Sequence, residues 1–211
     1  MNREIMVVIG WLLASYLLGA IPTSYLVGRI FRGVDLREVG SRNLGATNLY
    51  RTLGWRYAVP VGLFDVVKGA IPVALFGPRV PGIALFPVFC GVAAIMGHVF
   101  SVFVKFKGGK GVATAAGVVL GLAPLALLVV VVVWAIVVKL SGYVSLGSVI
   151  AASLFPLAAE LLHPSRPEPL WFDIALAGFL VFKHRSNIQR LINGTENRFG
   201  NRHRPEPTAQ A

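Results

Sequence analysis

Acidic residues are scarce in this sequence. Nine Asp and Glu stand against 20 Lys and Arg among 211 residues, a scarcity of carboxylates that makes an oxygen-rich metal centre a poor expectation. The four histidines, His98, His163, His184 and His203, are scattered along the chain, so no metal-ligand spacing is present and no metal is expected. One cysteine, Cys90, lies inside an apolar run, which excludes a disulfide framework and a cysteine-ligated metal. The alternating pattern of an outer-membrane barrel is missing, and no internal repeat is visible. The start of the chain has no basic n-region and no convincing cleavage site, so no cleavable signal peptide is expected.

What is present is apolar surface in long runs. Hydrophobic residues make up 55% of the chain and charged residues only 14%, which is too apolar for an ordinary soluble domain. Runs of spanning length recur at about 5–30, 58–76, 83–104, 112–138, 145–162 and 170–182. The expected fold is therefore an all-α integral membrane protein forming one domain over residues 1–211. Asp65 and Lys68 fall inside the second run at i, i+3, a spacing that lets them pair across one helical turn and hold helices together. The net charge of +11 is read as orientation in a membrane and attraction to anionic lipid or substrate, not as nucleic-acid binding. The tail beyond about residue 200 is basic and then Pro-rich, and is expected to be loose.

The fourth run decides the topology. As one helix, Val112–Val138 would be about 40 Å long, more than the roughly 30 Å of hydrocarbon requires. Gly121 and Pro124 interrupt it, and proline disfavours helix just before itself. A break near Leu122–Pro124 gives about seven transmembrane helices and places the polar stretches on a single face. That face then carries all but four of the 20 Lys and Arg, the exceptions being Arg3, Lys68, Arg79 and Arg166. By the positive-inside rule the N-terminus is outside and the C-terminus cytoplasmic.

Three polar stretches gather on the cytoplasmic face of that arrangement. Gly40–Arg51 (Gly-Ser-Arg-Asn-Leu-Gly-Ala-Thr-Asn-Leu-Tyr-Arg) is rich in hydroxyl, amide and guanidinium groups and contains no acid. A helix starting near Gly45 puts Thr47, Asn48 and Arg51 on one face. Phe106–Thr114 sets Lys107 and Lys110 among Gly108, Gly109 and Gly111. That combination suits an anion, most simply a phosphate, at the start of a helix. It is not a Walker-type nucleotide loop, because Val104 and Gly111 stand where Gly and Ser or Thr are needed. His184–Glu196 aligns His184, Asn187 and Arg190 at steps of three. Cations and hydrogen-bond donors dominate all three stretches.

Together they resemble the acyl-phosphate:glycerol-3-phosphate acyltransferases of bacterial membranes, the PlsY family. The motifs GSxNxGATNxxR, FKGGKGVAT and HRxNIxRLxxGxE occur in order at Gly40–Arg51, Phe106–Thr114 and His184–Glu196. Flanking pieces also match, among them Leu18–Pro22, Asp65–Gly69 and Gly97-His98. The resemblance covers roughly residues 17–200. One departure is Arg42, where the family usually has glycine.

The resemblance implies transfer of an acyl group from acyl phosphate to the sn-1 hydroxyl of glycerol 3-phosphate, at the cytoplasmic side of the bacterial inner membrane. The products are lysophosphatidic acid and inorganic phosphate, in the step that opens phospholipid synthesis. No cofactor is implied, and the enzyme is expected to act as a monomer among membrane lipids. Carried over residue by residue, Ser41, Arg51, Lys110 and His184 are the catalytic candidates. Asn43, Thr47, Asn48, Lys107, Gly108, Gly109, Gly111, Asn187 and Arg190 are the substrate-binding ones. Glu196, with Asp65 and Lys68, is expected to be structural. Two schemes remain for the hydroxyl proton: His184 takes it, or a substrate phosphate does while the protein positions and stabilises charge. The motifs supply donors more than bases, which favours the second. A covalent acyl-Ser41 lacks a recognisable partner base. The competing class is a transporter for a phosphorylated anion, disfavoured because the polar groups cluster at one face and not at the midplane.

Overall fold

The computed structural model describes residues 3–199, and the Pro-rich tail lies outside them. Among the described residues ten α-helices and no strands form: α1 Arg3–Ala20, α2 Thr23–Arg32, α3 Ala46–Leu53, α4 Trp55–Ile71, α5 Phe86–Val99, α6 Val112–Leu122, α7 Pro124–Ser141, α8 Val144–Leu162, α9 Leu170–Lys183 and α10 Arg185–Ile192. Five stretches are long and apolar enough to cross a membrane, namely Arg3–Arg32, Trp55–Arg79, Phe86–Val104, Pro124–Ser141 and Val144–Leu162. The apolar α6, with 11 residues, and α9, with 14, fall short of the roughly 20 that a perpendicular crossing takes.

The fourth apolar run is broken where proline predicts. Helix α6 ends at Leu122, Ala123 leaves the helical region, and Pro124 begins α7 at a position where its missing N–H costs nothing. A second break, at Ile21–Pro22, separates α1 from α2. Carbonyls freed at such a break in an apolar bundle need donors. Ser101 supplies one to Ala20 at 2.5 Å and Lys68 another to Ile21 at 2.9 Å.

Small residues let the helices close on one another. Gly19 and Gly97 bring α1 and α5 together: a Cβ on either would overlap the facing carbonyl, of Ala94 or of Tyr16. Gly69 and Gly117 do the same between α4 and α6, against the carbonyls of Thr114 and Val66. The main core joins α5 to α9 through Ile95, Val99, Val118, Val130, Phe155 and Leu176. A smaller cluster of Leu36, Leu44, Leu49, Ala58, Val61 and Val104 lies beneath the segment between α2 and α3. Outward faces remain apolar, as with Leu128, Val132 and Ile136 on α7 or Ile5, Ile9 and Leu13 on α1. Such a surface belongs in lipid.

Candidate active site

The segment before α3 is rigid because Asn48 ties it down. Its Oδ1 accepts the Ser41 backbone N–H at 2.8 Å, and its Nδ2 reaches the carbonyls of Leu36 and Val39, both at 3.1 Å. Leu36, Leu44 and Leu49 anchor the same segment from below. Ser41, Asn43 and Thr47 are thereby presented to a cavity of about 460 Å³ that runs up between the helices.

The second wall comes from the turn after α10. Gly194, at φ +70, ends that helix with Thr195 N–H on the Arg190 carbonyl and Gly194 N–H on that of Leu191, a reversal that favours glycine. It returns Glu196 under the helix. There Ser145 and Asn187 donate to Glu196 Oε1 at 2.9 and 2.7 Å, and Arg190 Nε donates to Oε2 at 2.7 Å. Burial alone would raise the Glu196 carboxyl. The hydrogen bonds from Asn187, Arg190 and Ser145 outweigh it and hold the group below its ordinary value. Asn187, fixed by Glu196, turns its Oδ1 onto the Lys110 ammonium.

Two cations dominate the polar end. Lys110 is driven down to about 8, by burial first and then by Arg190, Arg51 and Lys183, against the attraction of Glu196. Arg51 is buried and bonds the Asn197 carbonyl through Nη2 at 3.0 Å, while its Nε has no partner. A buried donor left bare costs about 1–3 kcal/mol, so Arg51 Nε is a donor suited to an acceptor brought into the cavity. Glu196, an acid beside these cations, is already committed to Arg190. His184 completes this end. Its Nδ1 donates to the Leu180 carbonyl at 2.8 Å, leaving Nε2 as an acceptor. Burial, then the Lys110 charge, push its pKa down to about 4.

Above the polar end the cavity becomes apolar. Val119 of α6, Val130 and Trp134 of α7, Phe155 of α8, and Leu176 and Leu180 of α9 line it. A cationic end that opens into an apolar lane suits a molecule with a charged head and an acyl tail.

The sequence pattern of the family described as "Glycerol-3-phosphate acyltransferase" matches residues 9–194. Among curated relatives, the glycerol-3-phosphate acyltransferase of Trichlorobacter lovleyi is 46% identical over 192 residues, covering 90% of this chain and 96% of the relative. That of Chlorobaculum parvum is 41% identical, with 89% and 95% covered. The chain belongs to the glycerol-3-phosphate acyltransferase family. A solved structure of PlsY, an integral membrane glycerol 3-phosphate acyltransferase in its glycerol 3-phosphate form, superposes with a TM-score of 0.83. It is 39% identical, and 92% of this chain and 96% of that one are covered. The lysophosphatidic acid form of PlsY gives a TM-score of 0.81 at 36% identity.

Of the motif residues by which this acyltransferase was recognised, Ser41, Asn43, Thr47, Asn48, Arg51, Lys110, Gly111, His184, Asn187 and Glu196 share the cavity wall. Others lie elsewhere. Lys107 and Gly108 face a separate basic depression with Arg37, Arg42 and Lys105. The chain twists there through two left-handed residues, Lys105 at φ +56 and Phe106 at φ +59, which turn the two lysines of the motif apart. Gly109 serves packing: a Cβ on it would overlap His98 Nε2 and crowd the Leu44 carbonyl. Arg190 is spent on Glu196, and Asn48 on the preceding segment. Arg42 takes φ +56, the turn for which the family's usual glycine is suited, and points its charge into the second depression. Sequence reasoning missed Ser145 and Ser148 as cavity residues. Two hydroxyls at i, i+3 opening an apolar helix were the available signal. It also gave Asp65 a purely structural part and no part to His98, yet both border the cavity.

Proposed function

We propose that this acyltransferase moves an acyl group from acyl phosphate to the sn-1 hydroxyl of glycerol 3-phosphate within the cavity. Lysophosphatidic acid and inorganic phosphate leave. The observation that carries the reading is the pairing of a cationic end, Arg51 with its unpartnered Nε and the Lys110 ammonium, with an apolar lane toward α7–α9. Arg51 and Lys110 hold the glycerol 3-phosphate phosphate, with Asn187 and His184 beside them. Ser41, Asn43 and Thr47 close the pocket. The N-terminus of α6, where Gly111 at φ +87 leads into Val112 and Ala113 on the wall, offers backbone N–H groups to the donor phosphate or to the carbonyl oxygen as it gains charge.

In the reaction the sn-1 oxygen bonds to the acyl carbon and the carbon–oxygen bond to phosphate breaks. The hydroxyl proton passes to a phosphate oxygen. His184, neutral and with a pKa of about 4, is poorly matched to proton abstraction at neutral pH, so substrate-assisted transfer is the scheme adopted. Seven spans, an external N-terminus and a cytoplasmic site belong to this reading, supported by the broken fourth run and the placement of the basic residues, and the bacterial inner membrane is the location the family resemblance implies. The short helix α6 is sheltered by its neighbours, α9 buries one face through Phe172, Leu176 and Leu180 while Trp171, Ile174 and Phe182 stay exposed, and the enzyme acts as a monomer in one domain. The test is phosphate release by purified protein given palmitoyl phosphate and glycerol 3-phosphate, beside palmitoyl-CoA as alternative donor. Turnover only with palmitoyl phosphate is expected. Uptake into vesicles without turnover would instead indicate a transporter.

A further inference from the structure

Asp65 and Lys68 stand one turn apart on α4, both buried, with Lys68 Nζ 2.7 Å from Asp65 Oδ1. Their structural task is plain. Lys68 also holds the Ile21 carbonyl at the α1–α2 break, and Thr23, just past that break, donates its hydroxyl to Asp65 Oδ1 at 2.7 Å. His98 Nδ1 stands 3.9 Å from the same oxygen. All of these contacts fall on Oδ1. Asp65 Oδ2 takes no hydrogen bond among the described residues, and Asp65 is part of the wall of the cavity that holds Arg51, Lys110 and His184.

A membrane-buried carboxylate is costly enough to mark a functional site wherever it meets a cavity. Here it also meets a need. Glycerol 3-phosphate brings two hydroxyl donors as well as its phosphate, and an unmatched buried donor is penalised. The acceptors near the cations are mostly taken: Glu196 by Ser145, Asn187 and Arg190, Asn187 Oδ1 by Lys110, and Asn48 Oδ1 by Ser41. The loop that carries Lys110 rests through Gly109 on the His98 ring, and the other ring nitrogen faces Asp65. One ring and one glycine therefore separate the carboxylate from the phosphate-holding loop.

We propose that Asp65 is a substrate-binding residue whose Oδ2 accepts a hydrogen bond from a glycerol hydroxyl, with the carboxylate oriented by Lys68 and Thr23. The assignment rests on the reading of the cavity as the glycerol 3-phosphate site. It gives the acceptor substrate two fixed points, phosphate on cations and hydroxyl on carboxylate, so that the chain between them has one orientation toward the acyl donor.

Asp65→Asn alone would leave Lys68 charged and unpaired inside the bundle, so the test variant is Asp65→Asn with Lys68→Gln, which removes both charges and keeps an amide donor for Ile21. In detergent-purified protein, kcat/KM for glycerol 3-phosphate is expected to fall about 30-fold, the worth of one hydrogen bond to a charged group. Competitive inhibition by inorganic phosphate is expected to stay within about threefold of the parent, because the cationic end is untouched. Activity near the parent level overturns the proposal. So does a parallel loss of phosphate inhibition, which marks a general structural lesion. Arg51→Ala, assayed alongside, separates the two readings. Undiminished activity there defeats the cavity assignment itself, whereas a loss there with full activity in the double variant defeats Asp65 alone. A crystal structure of the parent protein with glycerol 3-phosphate needs no variant. Asp65 Oδ2 within about 3.2 Å of a glycerol oxygen is expected, and a glycerol chain turned away from it rejects the proposal.

Discussion

Asn187 donates its side-chain amide to Glu196 at 2.7 Å and gives its carbonyl oxygen to Lys110. One carboxylate outside the cation pair thus sets which way the amide faces, and the amide sets where the ammonium stands. Ser145 and Arg190 complete the coordination of Glu196, so the acid is a keystone for three elements, α8, α10 and the segment after it.

Removing that acid is expected to cost both fold and function. Glu196→Ala leaves Arg190 without its partner and frees Asn187 to turn away from Lys110. The loss of stability should be about 2 kcal/mol, since three donors to a charged acceptor are discounted by the partial exposure of Arg190. Activity should fall more than tenfold, with KM for glycerol 3-phosphate rising. There is a linked effect of pH in the parent protein. The Glu196 carboxyl is held below its ordinary value of 4.5, so its contribution is present above that pH and disappears as pH falls through the lower folded value. Thermal unfolding followed from about pH 5 downward should show a steeper acid loss for the parent than for Glu196→Gln.

Lys110 gives an alkaline limb. With its pKa near 8, the ammonium proposed to hold phosphate is lost as pH rises past that value. The expected outcome is a kcat/KM for glycerol 3-phosphate that declines above about pH 8, while kcat is flatter because bound phosphate favours the charged form. Lys110→Arg should remove the limb, since a guanidinium stays charged there. A limb unchanged in Lys110→Arg would assign it to another group.

Much of this arrangement could be read from the chain alone, and the rest could not, for specific reasons. The break at Ala123 is local chemistry, a proline ahead of which helix is disfavoured, and so it was legible. The meeting of Ser41, Arg51, Lys110 and His184 came from motifs in register. The parting of Lys107 from Lys110 was not legible, because it depends on left-handed turns at Lys105 and Phe106, residues with no preference for that region. The saturation of Asn48 depends on the Leu36 and Val39 carbonyls, brought near by burial of Leu36 and Leu49. The roles of Asp65, His98, Ser145 and Ser148 at the cavity are matters of tertiary packing, and periodicity cannot tell which side of a buried helix meets a void.

The proton has two candidate destinations, and a pair of substitutions separates them. His184 is neutral, its Nδ1–H is bound to Leu180, and its pKa of about 4 makes it a weak base. If substrate phosphate takes the proton, His184→Gln should keep kcat within about tenfold of the parent. Arg51→Ala should lose about 10²–10³-fold, as expected when a buried donor to developing or bound charge is removed. Single-turnover rates with palmitoyl phosphate measure both. The reverse order, with His184→Gln far the worse, would make the imidazole the base.

Arg42 sets strain against charge in a way that one substitution can weigh. Its φ of +56 is a conformation that costs an L-residue about 1 kcal/mol and glycine almost nothing. Its side chain faces the outer depression with Arg37, Lys105 and Lys107, apart from the cavity. Arg42→Gly should therefore raise stability by roughly 0.5–1 kcal/mol, less than the full strain because glycine loses more freedom on folding. Catalysis in detergent should be unchanged within about twofold. Thermal unfolding of the two proteins side by side measures the first part. A fall in kcat/KM for glycerol 3-phosphate of tenfold or more in Arg42→Gly would show instead that the outer cations help bring the anion to the site, an electrostatic contribution that would shrink with added salt.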